Sequence, residues 1–214
     1  MKINQHIHRM DSTKGSYVYY LTTPSGGMLV DTCFPGKGQA ILDELGSLGV
    51  QAGDIKHILI THSDVDHIGN AAFLQEKSGA IVWASKTEVP YIKGEKPPAG
   101  IKNAIAKVMK PKIPIDIQTF AENGQMGDVR VIDTPGHTAG HVSFIFEETL
   151  LAGDLLFSDK GKITPSPAMI TWDKEALMGS IKKVAPLKFN LVCPAHGEPV
   201  ERGQQLERLV QFLG

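Results

Sequence analysis

Apolar residues recur along the chain in short runs closed by turn formers, and the spacing within each run predicts an element. Ser16–Leu21 and Met28–Asp31 read as a strand pair joined across Pro24-Ser25-Gly26-Gly27. Ala40, Ile41, Leu45 and Leu48 fall at helical spacing, predicting a helix over Gln39–Leu48 that stops at Gly49. His57–Ile60 and Ala80–Trp83 read as buried strands, with a helix over Ile68–Lys77 in the intervening sequence. Residues 84–118 break this rhythm. They hold Pro90, Pro97, Pro98, Pro111 and Pro114 and a run of lysines from Lys86 to Lys112, with one short helix expected over Ile101–Met109. Such a stretch is either a solvated connection or a lid over a binding site. Strands over Asp128–Asp133, Val142–Phe146 and Thr149–Ala152 follow. A helix over Glu175–Val184, a strand over Asn190–Cys193 and a closing helix over Gln204–Leu213 complete the pattern. Strands interspersed with helices imply an α/β layered architecture, read as a single domain over residues 1–214.

Composition narrows the class of protein. With 22 basic and 23 acidic residues the net charge is −1, which argues against a nucleic-acid backbone or an anionic membrane as main partner. No apolar run is long enough to span a bilayer, and Met1–His6 lacks the apolar stretch of a secretory signal. Two cysteines, Cys33 and Cys193, make no disulfide framework, so a cytoplasmic setting is expected. A small molecule is the expected partner, and the oligomeric state is left open.

The eight histidines are out of proportion, and several are clustered. Thr61-His62-Ser63-Asp64-Val65-Asp66-His67-Ile68-Gly69 puts four potential metal ligands within six residues, directly after a strand. A strand end is rigid, as tight metal–ligand distances require, and imidazole with carboxylate suits zinc, iron or manganese better than calcium. Three further strands end the same way. Thr134-Pro135-Gly136-His137 follows the first, Gly153-Asp154 the second, and Ala195-His196-Gly197 the third.

In this order, these motifs resemble the metallo-β-lactamase-fold superfamily over nearly the whole chain. The resemblance implies a four-layer αββα sandwich of two mixed β-sheets flanked by helices. It also implies a binuclear site in which His62, Asp64 and His137 hold one metal and Asp66, His67 and His196 the other, with Asp154 bridging. Asp31 corresponds to the first-motif aspartate, which orients the metal loops. Two divalent ions are expected, zinc foremost, with manganese or iron as alternatives. One departure stands out: Asp64 occupies the place of the middle histidine in the usual His-x-His-x-Asp-His. Three ligand carboxylates and one hydroxide then cancel two dications, where a histidine would leave one positive charge. A more anionic first site should favour harder ions.

The resemblance implies a metal-dependent hydrolase that uses a hydroxide bridging the metals, with Asp66 accepting or relaying the proton. The expected substrate is a small-molecule ester, thioester or lactone. A β-lactam is not expected, since no export signal is visible. A glutathione thioesterase is not expected either, because about 18 residues follow His196. Alternatives are a phosphodiesterase and a mononuclear iron oxygenase of the persulfide-dioxygenase type. Tyr91, Ile92 and Met109 on one side, and Phe157, Met169 and Trp172 on the other, are candidate pocket walls. His141 is read as support for a ligand, His57 as structural, and His6 and His8 as exposed on an edge strand.

Overall fold

The computed structural model describes residues 1–98 and 100–212; Ala99, Leu213 and Gly214 lie outside the described residues. The chain folds as two compact units, Met1–Phe120 and Ala121–Gly214.

The first unit is a six-stranded mixed sheet ordered β1 (Ile7–Arg9), β2 (Tyr19–Thr23), β3 (Gly26–Val30), β4 (Ile55–Leu59), β5 (Ile81–Ala84) and β6 (Gln118–Thr119). β1, β2 and β3 run antiparallel; β3 to β6 are parallel neighbours. Parallel strands need helical crossovers, here α1 (Gly38–Ser47), α2 (Val65–Ile68), α3 (Ala71–Ser78), α4 (Val89–Ile92) and α5 (Ile101–Met109). Leu29, Ile58, Val82, Ile41, Leu45 and Leu74 form one buried core in this unit.

Two expectations are corrected here. The strand predicted from Ser16 begins only at Tyr19. Ser16 instead donates to the Asp66 carbonyl, and Val18 N–H donates to Thr13 Oγ1, so these residues serve a turn rather than a ladder. The helix predicted over Ile68–Lys77 is two helices broken at Gly69-Asn70. A Cβ on Gly69 would lie 2.4 Å from the Cys33 carbonyl oxygen, and only hydrogen fits there. Asn70 then turns its amide to the 32–38 loop. It donates to the Thr32 and Phe34 carbonyls and accepts from the Lys37 and Gly38 amides.

The second unit holds a six-stranded mixed sheet. Its order is β14 (Val200–Glu201), β13 (Leu191–Pro194), β10 (Thr149–Gly153), β9 (Val142–Phe146), β8 (Val129–Asp133) and β7 (Gln125–Met126). The β10–β13 pair is parallel and the others antiparallel. A small hairpin, β11 (Leu156–Asp159) with β12 (Lys162–Pro165), occupies part of the stretch read only as a pocket wall. α6 (Lys174–Val184) follows an N-cap in which Asp173 accepts from Ala176 N–H at 2.9 Å. Glu175 in its first turn and Lys182 and Lys183 in its last complement the helix dipole. Leu177, Ile181 and Val184 line its buried face. α7 (Gln205–Phe212) closes the described chain, and the predicted end of this helix, Leu213, lies outside the described residues.

The lysine- and proline-rich stretch is not wholly a solvated connection. It carries α4 and α5 and ends in β6; Glu88 and Ile92 within it are buried, and Ile92 belongs to the first unit's core rather than to a pocket wall.

Candidate metal centre

In the first unit β4 ends at Leu59, and the chain leaves the sheet as a loop carrying His62 and Asp64, then enters α2 with Asp66 and His67. Two buried carboxylates hold this loop from outside. Asp31 stands just past β3 with φ at +61°, a left-handed conformation that aspartate tolerates better than most side chains. Its Oδ1 accepts from the Thr61 amide at 2.8 Å, while its Oδ2 accepts from Thr61 Oγ1 and from His67 Nδ1, each at 2.8 Å. Glu88 accepts from the Ser63 amide at 2.8 Å. Because the Thr61 hydroxyl gives its proton to Asp31, its lone pairs receive His62 Nδ1–H at 2.9 Å. Both imidazoles thus carry their proton on Nδ1 and present the Nε2 lone pair. The two rings lie 3.9 Å apart, centroid to centroid.

In the second unit three strand ends supply one side chain each. His137 follows β8, and its Nδ1 lies 2.7 Å from Ser166 Oγ. Gly136 has φ at +141°, and a Cβ there would lie 2.3 Å from the α6 backbone at Leu177; glycine lets this turn close against the helix. Asp154 follows β10. Its backbone N–H donates to His141 Nε2 at 3.0 Å, so His141 Nδ1 carries the ring proton, directed at Thr134 Oγ1 at 2.9 Å. Thr134 Oγ1 meets Ser143 Oγ, which donates to the Ala152 carbonyl. His141 therefore fixes the backbone of Asp154, the supporting role expected of it. His196 follows β13, stacked on Phe157 with ring centroids 4.8 Å apart.

Four nitrogen–oxygen pairs test whether these residues suit a metal. His62 Nε2 stands 3.4 Å from Asp64 Oδ2, and His67 Nε2 3.5 Å from Asp66 Oδ2. His137 Nε2 stands 3.4 Å from Asp154 Oδ2, and His196 Nε2 3.4 Å from Asp154 Oδ1. A charge-assisted hydrogen bond would draw such atoms to about 2.7–2.9 Å. Two ligands on one tetrahedral ion, each about 2.0–2.1 Å from it, lie about 3.3–3.4 Å apart. Three pairs match the ligand–ligand edge and the fourth, at 3.5 Å, lies just beyond it; all four are longer than a charge-assisted hydrogen bond. The donor set fits divalent cations, and the two oxygens of Asp154 face different imidazoles, as a bridging carboxylate requires.

Other residues behave less simply. His57 accepts from Trp83 Nε1 at 3.1 Å, and burial lowers its pKa, in keeping with a structural role. His8 is half-buried, 3.3 Å from Glu44, rather than exposed. Cys33 is buried in the first unit's core, and burial pushes its thiol pKa up. Glu88, Ser166 and Asn70 escaped the sequence reading. Only Asn70, an amide directly after a glycine in a supposed helix, left a local signal.

A family model described as the metallo-beta-lactamase superfamily matches residues 12–196. The chain is 29% identical over 213 residues to the probable metallo-hydrolase YflN of Bacillus subtilis, covering 86% of this chain and 81% of that one. It is 30% identical over 171 residues to the probable polyketide biosynthesis zinc-dependent hydrolase BaeB of Bacillus velezensis, covering 80% and 68%. Among solved structures it resembles the metallo-beta-lactamase family protein TTHA1429 of Thermus thermophilus, with a TM-score of 0.80 at 21% identity over 99% of this chain and 80% of that one. That likeness fixes the fold as the α/β sandwich of mixed sheets and flanking helices expected from the sequence. By its ordered motifs and the match over residues 12–196, the chain belongs to the metallo-beta-lactamase superfamily of metallo-hydrolases.

Proposed function

We propose that the chain is a binuclear metallo-hydrolase acting on a small-molecule ester, thioester or lactone. His62, Asp64 and His137 hold one divalent cation, Asp66, His67 and His196 the other, and Asp154 binds both. The observation that carries this reading is the set of four imidazole–carboxylate pairs at 3.4–3.5 Å. When bound, the cations supply a water of lowered pKa as nucleophile and Lewis-acid polarisation of the scissile carbonyl. Asp66 is the proton acceptor: its carboxylate is partly exposed, while its backbone carbonyl is fixed by the Ser16 hydroxyl. Asp31 and Glu88 hold the Thr61–Ser63 backbone, which keeps the ligand loop in place before substrate arrives. Phe157 beneath His196, and Trp172, whose amide donates to the His137 carbonyl, give the second unit aromatic surface beside its ligands. That chemistry supports an acyl or lactone substrate.

Elemental analysis of protein purified without added metal, followed by a panel of esters, thioesters, lactones and phosphodiesters, tests the proposal. The expected result is two equivalents of zinc or manganese per chain and turnover of a carbonyl substrate that a chelator abolishes. One equivalent of iron with thiol-dependent oxygen uptake, or turnover of phosphodiesters alone, would reject it.

A further inference from the structure

The chain departs from its family's usual ligand motif at Asp64, and the structure provides that carboxylate with a cation. Lys102 Nζ stands 2.7 Å from Asp64 Oδ2. This is the same oxygen that lies 3.4 Å from His62 Nε2 and so faces the position a cation beside His62 would take. Both side chains are 14% exposed, so water screens the pair less than it would an ordinary surface salt bridge. Lys102 sits in the first turn of α5, where a positive charge is disfavoured by the helix dipole. Something must offset that cost, and Asp64 does. A carboxylate oxygen has lone pairs for both an ammonium and a metal, so the two contacts can coexist.

We propose that Lys102 is a charge-compensating positioning residue, and that the Asp64–Lys102 couple replaces the neutral histidine found at this position in the usual motif. The inference rests on Asp64 being a ligand of the first cation. Aspartate and lysine together carry no net charge, as a neutral imidazole carries none. The formal charge of the site with its lysine therefore returns to the single positive charge of a histidine-liganded centre. Lys102 also polarises Oδ2 and weakens it as a donor. The couple sets both the affinity and the hardness of the first site.

The test is a double-mutant cycle read by chelator-competition titration with zinc and with manganese, which needs no substrate. Lys102→Met removes the charge at similar length and is expected to tighten first-site binding by roughly tenfold or more, with the larger gain for manganese. Lys102→Arg is expected to stay within about twofold of the parent, since it keeps the charge. Asp64→His sets Lys102 against a neutral ring, so affinity should fall by roughly tenfold or more and recover when Lys102→Met is added. Thermal melting checks each variant, and Lys102→Gln replaces Lys102→Met should the latter not fold. Zinc and manganese affinities left unchanged by Lys102→Met, both in the parent and in the Asp64→His background, would overturn the proposal. Full retention of the first cation by Asp64→Ala would instead remove Asp64 from the ligand set and the proposal with it.

Discussion

The two units supply candidate ligands by contrasting routes. In the first, four of them sit within six residues, on the loop after β4 and the helix α2 that follows, and charged groups hold the surroundings: Asp31 on Thr61 and His67, Glu88 on the Ser63 amide, Lys102 on Asp64. In the second, one side chain comes from each of three strand ends. Neutral groups hold two of them, Ser166 on His137 and the His141–Thr134–Ser143 chain under Asp154, and the Phe157 ring stacks on His196. The difference teaches where tuning and rigidity reside. A loop held by carboxylates can be adjusted electrically by changing one partner. Side chains anchored in separate strands are fixed by packing, and losing one leaves the other two where they were.

The largest expected effect comes from the residue with no counterpart in the first unit. Asp154→Ala should empty both sites and lower turnover of a verified substrate by at least about a thousandfold, whereas Asp66→Ala should cost only one equivalent of metal. Metal counts by mass spectrometry under native conditions separate the two. Equal stoichiometries in these variants would remove the asymmetry. Next in size is Asp31→Asn, which keeps the shape but weakens acceptance from His67 Nδ1 and Thr61. Metal affinity should fall by roughly ten- to a hundredfold while circular dichroism stays unchanged. Smallest is His141→Leu. It strips the acceptor from the Asp154 amide, so the cost should appear as about 1–3 kcal/mol of stability in denaturant titration, with a lesser effect on metal. A larger loss of metal than for Asp31→Asn would mean that the second unit's neutral network, rather than the carboxylates, governs ligation.

The legibility of the chain divides along the same line. The Thr61–Gly69 cluster can be read from sequence because its ligands are neighbours, and the strand-end histidines and Asp154 because each follows an apolar run beside glycine. The core strands were legible for the same reason, since hydrophobic runs bounded by turns leave little choice of element. The supports were harder. Glu88 lies 25 residues from the amide it accepts from, Ser166 lies 29 from His137, and Lys102 is one of seven lysines in a stretch whose composition says only that it is polar. Their roles come from tertiary proximity, which no local pattern encodes. The break at Gly69-Asn70 was hidden differently. The apolar spacing of Val65, Ile68, Ala71 and Leu74 runs through it, and the break is made at Asn70, whose backbone leaves the helix while its amide bonds the 32–38 loop.

Trp172 has a practical consequence. The chain has two tryptophans, and they occupy unlike surroundings: Trp83 is half-buried, bonded to His57 and stacked near Phe120, whereas Trp172 is 54% exposed with its amide tied to the His137 carbonyl. A water-soluble quencher such as iodide will therefore act mainly on one indole, one whose backbone is bonded to a residue proposed to bind metal. Intrinsic fluorescence offers a label-free gauge of ion uptake at His137, with Trp83 as the built-in reference signal.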